Sequence, residues 1–353
     1  MANAQESALH FPWGDTLPAP GTCIELRPGV LWLRMGLPFA LDHINLWLLR
    51  DDDASGPGWA IVDCGIADAP TRANWDAIFA SGVLQGLPVK RVIVTHFHPD
   101  HLGNAHWLCE RWQCWLWMSA TDFNVGRMAS QSTVGMGGDA AAAFFGSHGL
   151  TDPDSLDKIR GRADYFPRMV PQVPSAFRRL MHGDRFTVGA HTWQAHAGHG
   201  HSPEHLSFHC ADLGLLIAGD MVLPRISTNV SVVDVEPEAD PLRLYLASLD
   251  RLAGLPDDTL VLPAHGRPFV GLATRRAQLQ AHHAERLAEL VDAVRSGPKT
   301  AAELLPVLFK RPLDLHQTTF AMGEAIAHLN HLWLDGRLHR DRGADGVWRF
   351  ALA

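Results

Sequence analysis

Short apolar runs, each four to eight residues long and separated by Pro, Gly and Asp-rich turns, fill the first third of the chain. Residues 30–35, 44–49 and 59–62 read as strands of a meander, with 51–58 (Asp-Asp-Asp-Ala-Ser-Gly-Pro-Gly) as the loop between two of them. Residues 71–80 place Trp75, Ile78 and Phe79 on one helical face. The β-branched run 91–95 has the character of a buried strand, and 103–113 then reads as a helix. Residues 121–180 change character. They hold Gly135-Met136-Gly137-Gly138, an Ala/Phe run at 140–145, and Pro167, Pro171 and Pro174. This segment is expected to be a mostly helical insertion whose glycines allow it to act as a lid or one wall of a pocket. Strands return at 185–188, 191–196, 205–210 and 215–218, followed by a helix at 242–252 and a strand at 259–262. From residue 272 the pattern is helix (275–295), helix (300–309), helix (319–334) and a hairpin (335–340 with 347–352), the order of a winged helix. The expected organisation is an N-terminal arm (1–22), an α/β domain (23–272) and a C-terminal helical, winged-helix-like domain (273–353).

The chain has 353 residues, 46% of them hydrophobic and 19% charged, which is ordinary for soluble globular protein. A net charge of −8 and no long Lys/Arg run argue against a nucleic-acid partner. Five Cys with no CxxC pair, and a start without a basic region before an apolar run, point to reduced thiols and a cytoplasmic protein. No stretch is long and apolar enough to suggest a membrane span.

Chemistry concentrates at strand ends. His96-Phe97-His98-Pro99-Asp100-His101 closes the 91–95 strand, and His201, Asp220 and His265 each border a strand beside Gly or Pro. Residues two apart in extended chain point the same way, so His96 and His98 can reach one ion. Asp100 and His101 follow Pro99, where the chain turns, and face a neighbouring point. His96, His98 and His201 are therefore assigned to one ion, and Asp100, His101 and His265 to a second. Asp220 is the carboxylate able to bridge the two. His and carboxylate without thiolate suit two divalent ions, zinc first, with iron and manganese open.

With Gly200-His201-Ser202-Pro203, Gly219-Asp220 and Pro263-Ala264-His265-Gly266, this set resembles the metallo-β-lactamase superfamily. Val62-Asp63-Cys64-Gly65 resembles that family's early Val-Asp-Thr-Gly element, with Cys in place of Thr. The tail resembles the one found on β-lactamase-like proteins near glyoxalase II. The resemblance implies an αββα sandwich with a dinuclear site at one edge. It also implies a metal-dependent hydrolase in which a metal-bridged hydroxide attacks a carbonyl, with thioesters or esters of the glyoxalase II kind expected first. An endoribonuclease or phosphodiesterase and a lactonase are the alternatives. Asp100 is the residue placed to take the proton released at attack. Asp63 and His205 are expected to stand behind the ligands and orient them.

Plainer readings apply elsewhere. Trp107, Trp112, Trp115 and Trp117 are expected to pack a helix and the strand after it. His282-His283 is expected on a solvated helical face, and His148 and Tyr165 as packing or surface residues. Arg225 could meet an anionic substrate. The partner is expected to be a small-molecule substrate, and the tail to pack on the catalytic domain or build a homodimer.

Overall fold

The computed structural model describes residues 5–132 and 137–353. A seven-stranded sheet runs in chain order through β1 (Ile24–Arg27), β2 (Val30–Gly36), β3 (His43–Arg50), β4 (Trp59–Val62), β5 (Val89–Ile93), β6 (Trp115–Met118) and β7 (Phe177–Arg179). The first four strands pair antiparallel, and β4 to β7 pair parallel. A five-stranded sheet contains β8 (Arg185–Val188), β9 (His191–Gly198), β10 (His205–Cys210), β11 (Leu215–Gly219) and β12 (Leu260–Pro263), in the order β12-β11-β10-β9-β8. The β11–β12 pair is parallel and the others antiparallel.

Strand alternation builds the layers. On β2, Trp32 faces a core shared by both sheets, while Leu31, Leu33 and Met35 face an outer core. Trp47 and Leu49 of β3 point inward, and Leu46 and Leu48 outward. Both faces are buried, so the strands read as unbroken apolar runs rather than as alternation. Each such fully buried Leu contributes about 1.5–3 kcal/mol. The outer face of the first sheet is covered by α1 (Ala69–Ala80), through Trp75 and Ile78, and by α3 (Ala105–Trp112), through Leu108. Asp68 caps α1 by accepting from the Thr71 amide at 2.8 Å. The outer face of the second sheet, including Leu216, Ala218 and Val261, packs on α8 (Pro241–Arg251), α9 (Leu272–Ala293), α10 (Ala301–Leu308) and α11 (Leu315–Leu334). The result is an αββα sandwich. A hairpin of β13 (Leu338–Arg342) and β14 (Trp348–Leu352) follows α11.

The segment 121–180 differs from expectation in one respect. It contains most of α4 (Ala120–Ala129), then α5 (Gly138–Ser147), α6 (Pro153–Arg160) and α7 (Tyr165–Met169), but it ends in β7, which extends the first sheet beside β6. Three residues after a Pro-rich stretch carry too weak a pattern to read as a strand. Of the glycine cluster, Gly135 lies outside the described residues; Gly138 opens α5.

Two plain readings are corrected. Trp115 is 60% exposed, because it opens β6 at the sheet's rim. His283 is not solvated but fully buried between α9 and α11. The His328 Nδ1–H donates to the Glu324 carbonyl (2.8 Å), and its Nε2 accepts from His283 Nδ1 at 3.0 Å. Burial holds His283 down to about 2 and His328 to about 4. Tyr245, His282, His331 and Arg286 surround the pair, and none is an anion at neutral pH that would favour protonation.

The consequence for stability has a definite sign. Between pH 6.5 and about 4 the unfolded chain binds protons at these two sites and the native chain does not. Stability therefore falls as pH falls through that window, by up to ~1.4 kcal/mol per pH unit for each histidine. Thermal unfolding of metal-free protein across this range should show the loss, and H283Q or H328Q should shrink the slope. A slope unchanged in both would refute the assignment. His101 and His265, whose folded values are raised, contribute their pH dependence above pH 6.5 and leave this window unaffected.

Among the described residues, no helix is long and apolar enough to cross a membrane. All five Cys are free thiols.

Candidate metal centre

Strands β5, β9, β11 and β12 all release their chains at one edge of the sandwich, and the loops leaving these four strands build the polar cluster. Ligands gather at the carboxyl ends of strands because loops there are free to converge. The Leu206 amide donates to the Thr95 carbonyl (2.8 Å) and the Asn45 amide to the Ala264 carbonyl (2.7 Å), which locks the two sheets together at this edge. Pro99 starts α2 (Pro99–Leu102) directly after His98, so Asp100 and His101 turn away from the line of the strand.

The seven residues singled out in the sequence come together in two sets. His96 Nε2 lies 2.9 Å from His98 Nδ1 and 3.1 Å from His201 Nε2, which is 3.2 Å from Asp220 Oδ2. His265 Nε2 lies 3.4 Å from Asp100 Oδ2 and 3.4 Å from Asp220 Oδ1; His101 Nε2 lies 3.7 Å and 3.6 Å from the same two oxygens. Each set keeps its ligand atoms within 4.8 Å of one another. Asp220 faces one set with each oxygen.

The surroundings fix which nitrogen of each ring faces inward. His101 Nδ1 donates to Asp63 Oδ2 (2.8 Å), His201 Nδ1 to the Asn229 carbonyl (2.8 Å) and His265 Nδ1 to the His43 carbonyl (2.7 Å). Each of these rings thus aims its Nε2, the atom that a metal ion would take in place of a proton, into the cluster. Thr95 Oγ1 sits within 3.1 Å of both His96 Nδ1 and His101 Nδ1, and the Thr95 amide donates to Asp63 Oδ1 at 2.8 Å. His205 Nε2 accepts the Asp220 amide at 3.1 Å. Gly219 precedes it with φ +52°, and a Cβ there would lie 2.3 Å from His205 Nε2, so only glycine lets the backbone come this close.

His101 Nε2 and Asp220 Oδ1 are buried without a hydrogen-bond partner. Such orphans are costly unless a cation completes them. Charge balance agrees. Burial, reinforced by neighbouring imidazoles, holds His96 well below its ordinary value and His98 at about 3, leaving both neutral, as metal binding needs. Burial alone would lower His265, but Asp220 and Asp100 overcome it and raise it to about 10. Burial would likewise raise Asp220, yet His265 and His101 hold it well below the carboxylate range. The second set is an anionic pocket that draws a positive charge. The donor set, imidazole and carboxylate without thiolate, fits a pair of divalent ions.

Several contributors carried no legible signal. Thr95 and the backbone carbonyls of Asn229 and His43 orient ligands, but a carbonyl has no sequence signature. Asp122, raised to about 6 by burial, accepts from the Phe97 amide (3.0 Å) and the Glu204 amide (2.6 Å), bracing two ligand loops against each other. Tyr165, at the start of α7, donates to His316 Nε2 across to α11 at 2.8 Å. His148 is buried, with Nδ1 on the Phe144 carbonyl, as a packing residue. Arg225 is exposed.

Fold and cluster define a class: hydrolases that carry paired His/carboxylate ligand sets at the open edge of a two-sheet sandwich. This chain belongs to the metallo-β-lactamase superfamily, whose family model matches residues 40–265. The model of the metallo-β-lactamase-like C-terminal domain matches residues 287–353. A β-lactamase domain protein from Burkholderia ambifaria is 54% identical in sequence. Its crystal structure superposes with a TM-score of 0.94 and covers 99% of this chain and 100% of its own. A metallo-β-lactamase family protein from Thermus thermophilus is 28% identical, with a TM-score of 0.75, over 93% of this chain and 100% of its own. The lactamase-like protein vrtG of Penicillium aethiopicum is 26% identical over 288 residues, which are 80% of this chain and 72% of that protein.

Proposed function

We propose that this superfamily hydrolase is a dinuclear metal-dependent esterase acting on thioesters or esters. The observation that carries the reading is Asp220, whose two oxygens face two separate ligand sets. His96, His98, His201 and Asp220 would hold one ion, and Asp100, His101, His265 and Asp220 the other, with zinc the first candidate. Ions held there would lower the pKa of a water between them and polarise a carbonyl oxygen. The protein's own part is positional. Asp63, Asn229 and His43 hold the Nδ1–H of three rings so that each Nε2 faces the ions, and His205 fixes the Asp220 backbone. Asp100 engages the cluster through Oδ2, leaving its other oxygen to take a proton from the attacking water. A thiolate leaves without help from an acid, so attack and carbonyl polarisation are sufficient for a thioester.

Aromatic side chains gather beside the His96–His98 loop and on α11. Phe97 stacks with Phe166 at 5.9 Å, and Phe39 stacks with His316 at 5.2 Å, with Phe320 beyond it. Burial raises the Tyr165 phenol to about 12, against the pull of Arg162 and with the charge of Asp100 adding to it. These side chains suit an acyl group with apolar bulk, and α7 and α11 together would form the wall. H316A should raise KM several-fold for bulky acyl thioesters while kcat changes little; an unchanged KM across acyl sizes would remove α11 from the pocket. The nuclease alternative gains nothing from the tail. Helix α11 carries no Lys or Arg, and most of its length from Thr319 to Leu332 is buried.

The direct test is thiol release from glutathione and coenzyme A thioesters by metal-loaded protein. Release that a chelator abolishes and zinc restores supports the reading. Absence of release from every acyl group tried would overturn the thioester assignment and direct attention to lactones and phosphodiesters.

A further inference from the structure

At the opposite end of β10 from the dinuclear cluster, a second kind of ligand set comes together. Cys210 ends β10, Asp212 follows in the turn, and His191 begins β9. The β9–β10 register pairs His209 with Gln194. Continued outward, it sets Asp212 opposite His191, with Cys210 two residues back along the same face. Cys210 belongs to the core between the sheets, so this face points inward, and the three residues close the rim of the sandwich. His191 Nδ1 lies 3.9 Å from Asp212 Oδ2, and one donor atom from each of the three residues lies within 4.8 Å of the others. Five residues of β10 separate this rim from His205, about 17 Å of strand.

We propose that His191, Cys210 and Asp212 form a separate mononuclear site for zinc or a similar thiolate-tolerant divalent ion, with water as the fourth ligand. Chemistry sets it apart from the paired centre, which has no thiolate donor. Thiolate, imidazole and carboxylate together match a four-coordinate zinc site. Such an ion, with bonds of about 2.0–2.3 Å, needs donor separations of roughly 3.3–3.6 Å. The required closure falls to His191 and Asp212, whose side chains are 35% and 64% exposed and can turn without disturbing the core. The turn itself prepares the sulfur. Burial and the Asp212 charge raise the thiol, while the backbone amides of Leu213 and Asp212 in the turn favour the thiolate. Metal binding then releases the thiol proton to solvent as the S–metal bond forms. The ion would tie the β8–β9 hairpin to the β10–β11 hairpin.

Cobalt(II) separates this site from the paired centre, because only a cysteine ligand produces a thiolate-to-cobalt charge-transfer band in the near ultraviolet. Metal-free full-length protein titrated with Co2+ should take up a third equivalent and develop that band. H191A and C210S should each lose the band and one equivalent while keeping the thioesterase rate of the paired centre. Because C210S alters a core position, D212N and H191A, both at the rim, provide the same test without that risk. Uptake that stops at the paired centre with no band, or a band that survives in both C210S and H191A, would overturn the proposal.

Discussion

Asp220→Asn is expected to take one of the two ions and most of the turnover with it. The physical reason is the placement of its two oxygens. Oδ2 lies 3.2 Å from His201 Nε2, and Oδ1 lies 3.4 Å from His265 Nε2 and 3.6 Å from His101 Nε2. An amide presents one oxygen and one NH2 group, so either orientation turns N–H donors on one ligand set. It also removes a negative charge from a pocket where two imidazoles are pulled toward the cationic form. Losing one ion's share of carbonyl polarisation, worth several kcal/mol, should lower kcat by about a thousandfold. Metal analysis should show stoichiometry falling from two ions toward one, with an unchanged circular dichroism spectrum. A variant that keeps both ions and its rate would refute the bridging role.

Asp63→Asn should have the next largest effect, although Asp63 does not point into the cluster. Its Oδ1 accepts the Thr95 amide and its Oδ2 accepts His101 Nδ1–H, both at 2.8 Å. In the asparagine, the oxygen remains on Thr95 and the NH2 group faces His101. His101 must then accept at Nδ1 and carry its proton on Nε2, the atom that faces Asp100 and Asp220. A protonated Nε2 cannot be a metal ligand. Affinity for the second ion should drop about 10–100-fold, the usual cost of removing a partner that orients a ligand. The flip alternative strands the buried Thr95 amide at a cost of about 1–3 kcal/mol. Competition with a chromophoric chelator measures the affinity directly, and raising free metal should restore much of the rate. An affinity unchanged from the parent would show that His101 keeps its tautomer by other means.

Residue type and spacing made much of this centre legible. His96-x-His98-x-Asp100-His101 at the end of an apolar run predicts a strand-end cluster, and Pro99 predicts the turn that divides its members between two sets. Asp220 as the bridge and Asp63 and His205 behind the ligands are expectations of the same reading, and the structure brings these three residues to the cluster. The strands of the meander were legible because four to eight consecutive apolar residues between turn signals have few other readings. Strand β7 was not, because Phe177–Arg179 is short and has two arginines; it forms because β6 offers an unpaired edge. His283 looked solvated beside His282 on a charged helix, and only the packing of α11 against α9 buries it.

Local chemistry along the chain thus determined which His and Asp side chains make up the cluster, the layered α/β class and the hydrolase family, since each depends on residue identity and near-neighbour spacing. The tertiary structure decided which nitrogen of each imidazole faces the cluster, because carbonyls of Asn229 and His43 and the Asp63 carboxylate arrive from distant parts of the chain. It likewise decided that α11 of the tail brings His316 to Tyr165, and that His191, Cys210 and Asp212 share one rim. Such contacts depend on sheet register and on packing between layers. Those are long-range properties that no local stretch of sequence contains.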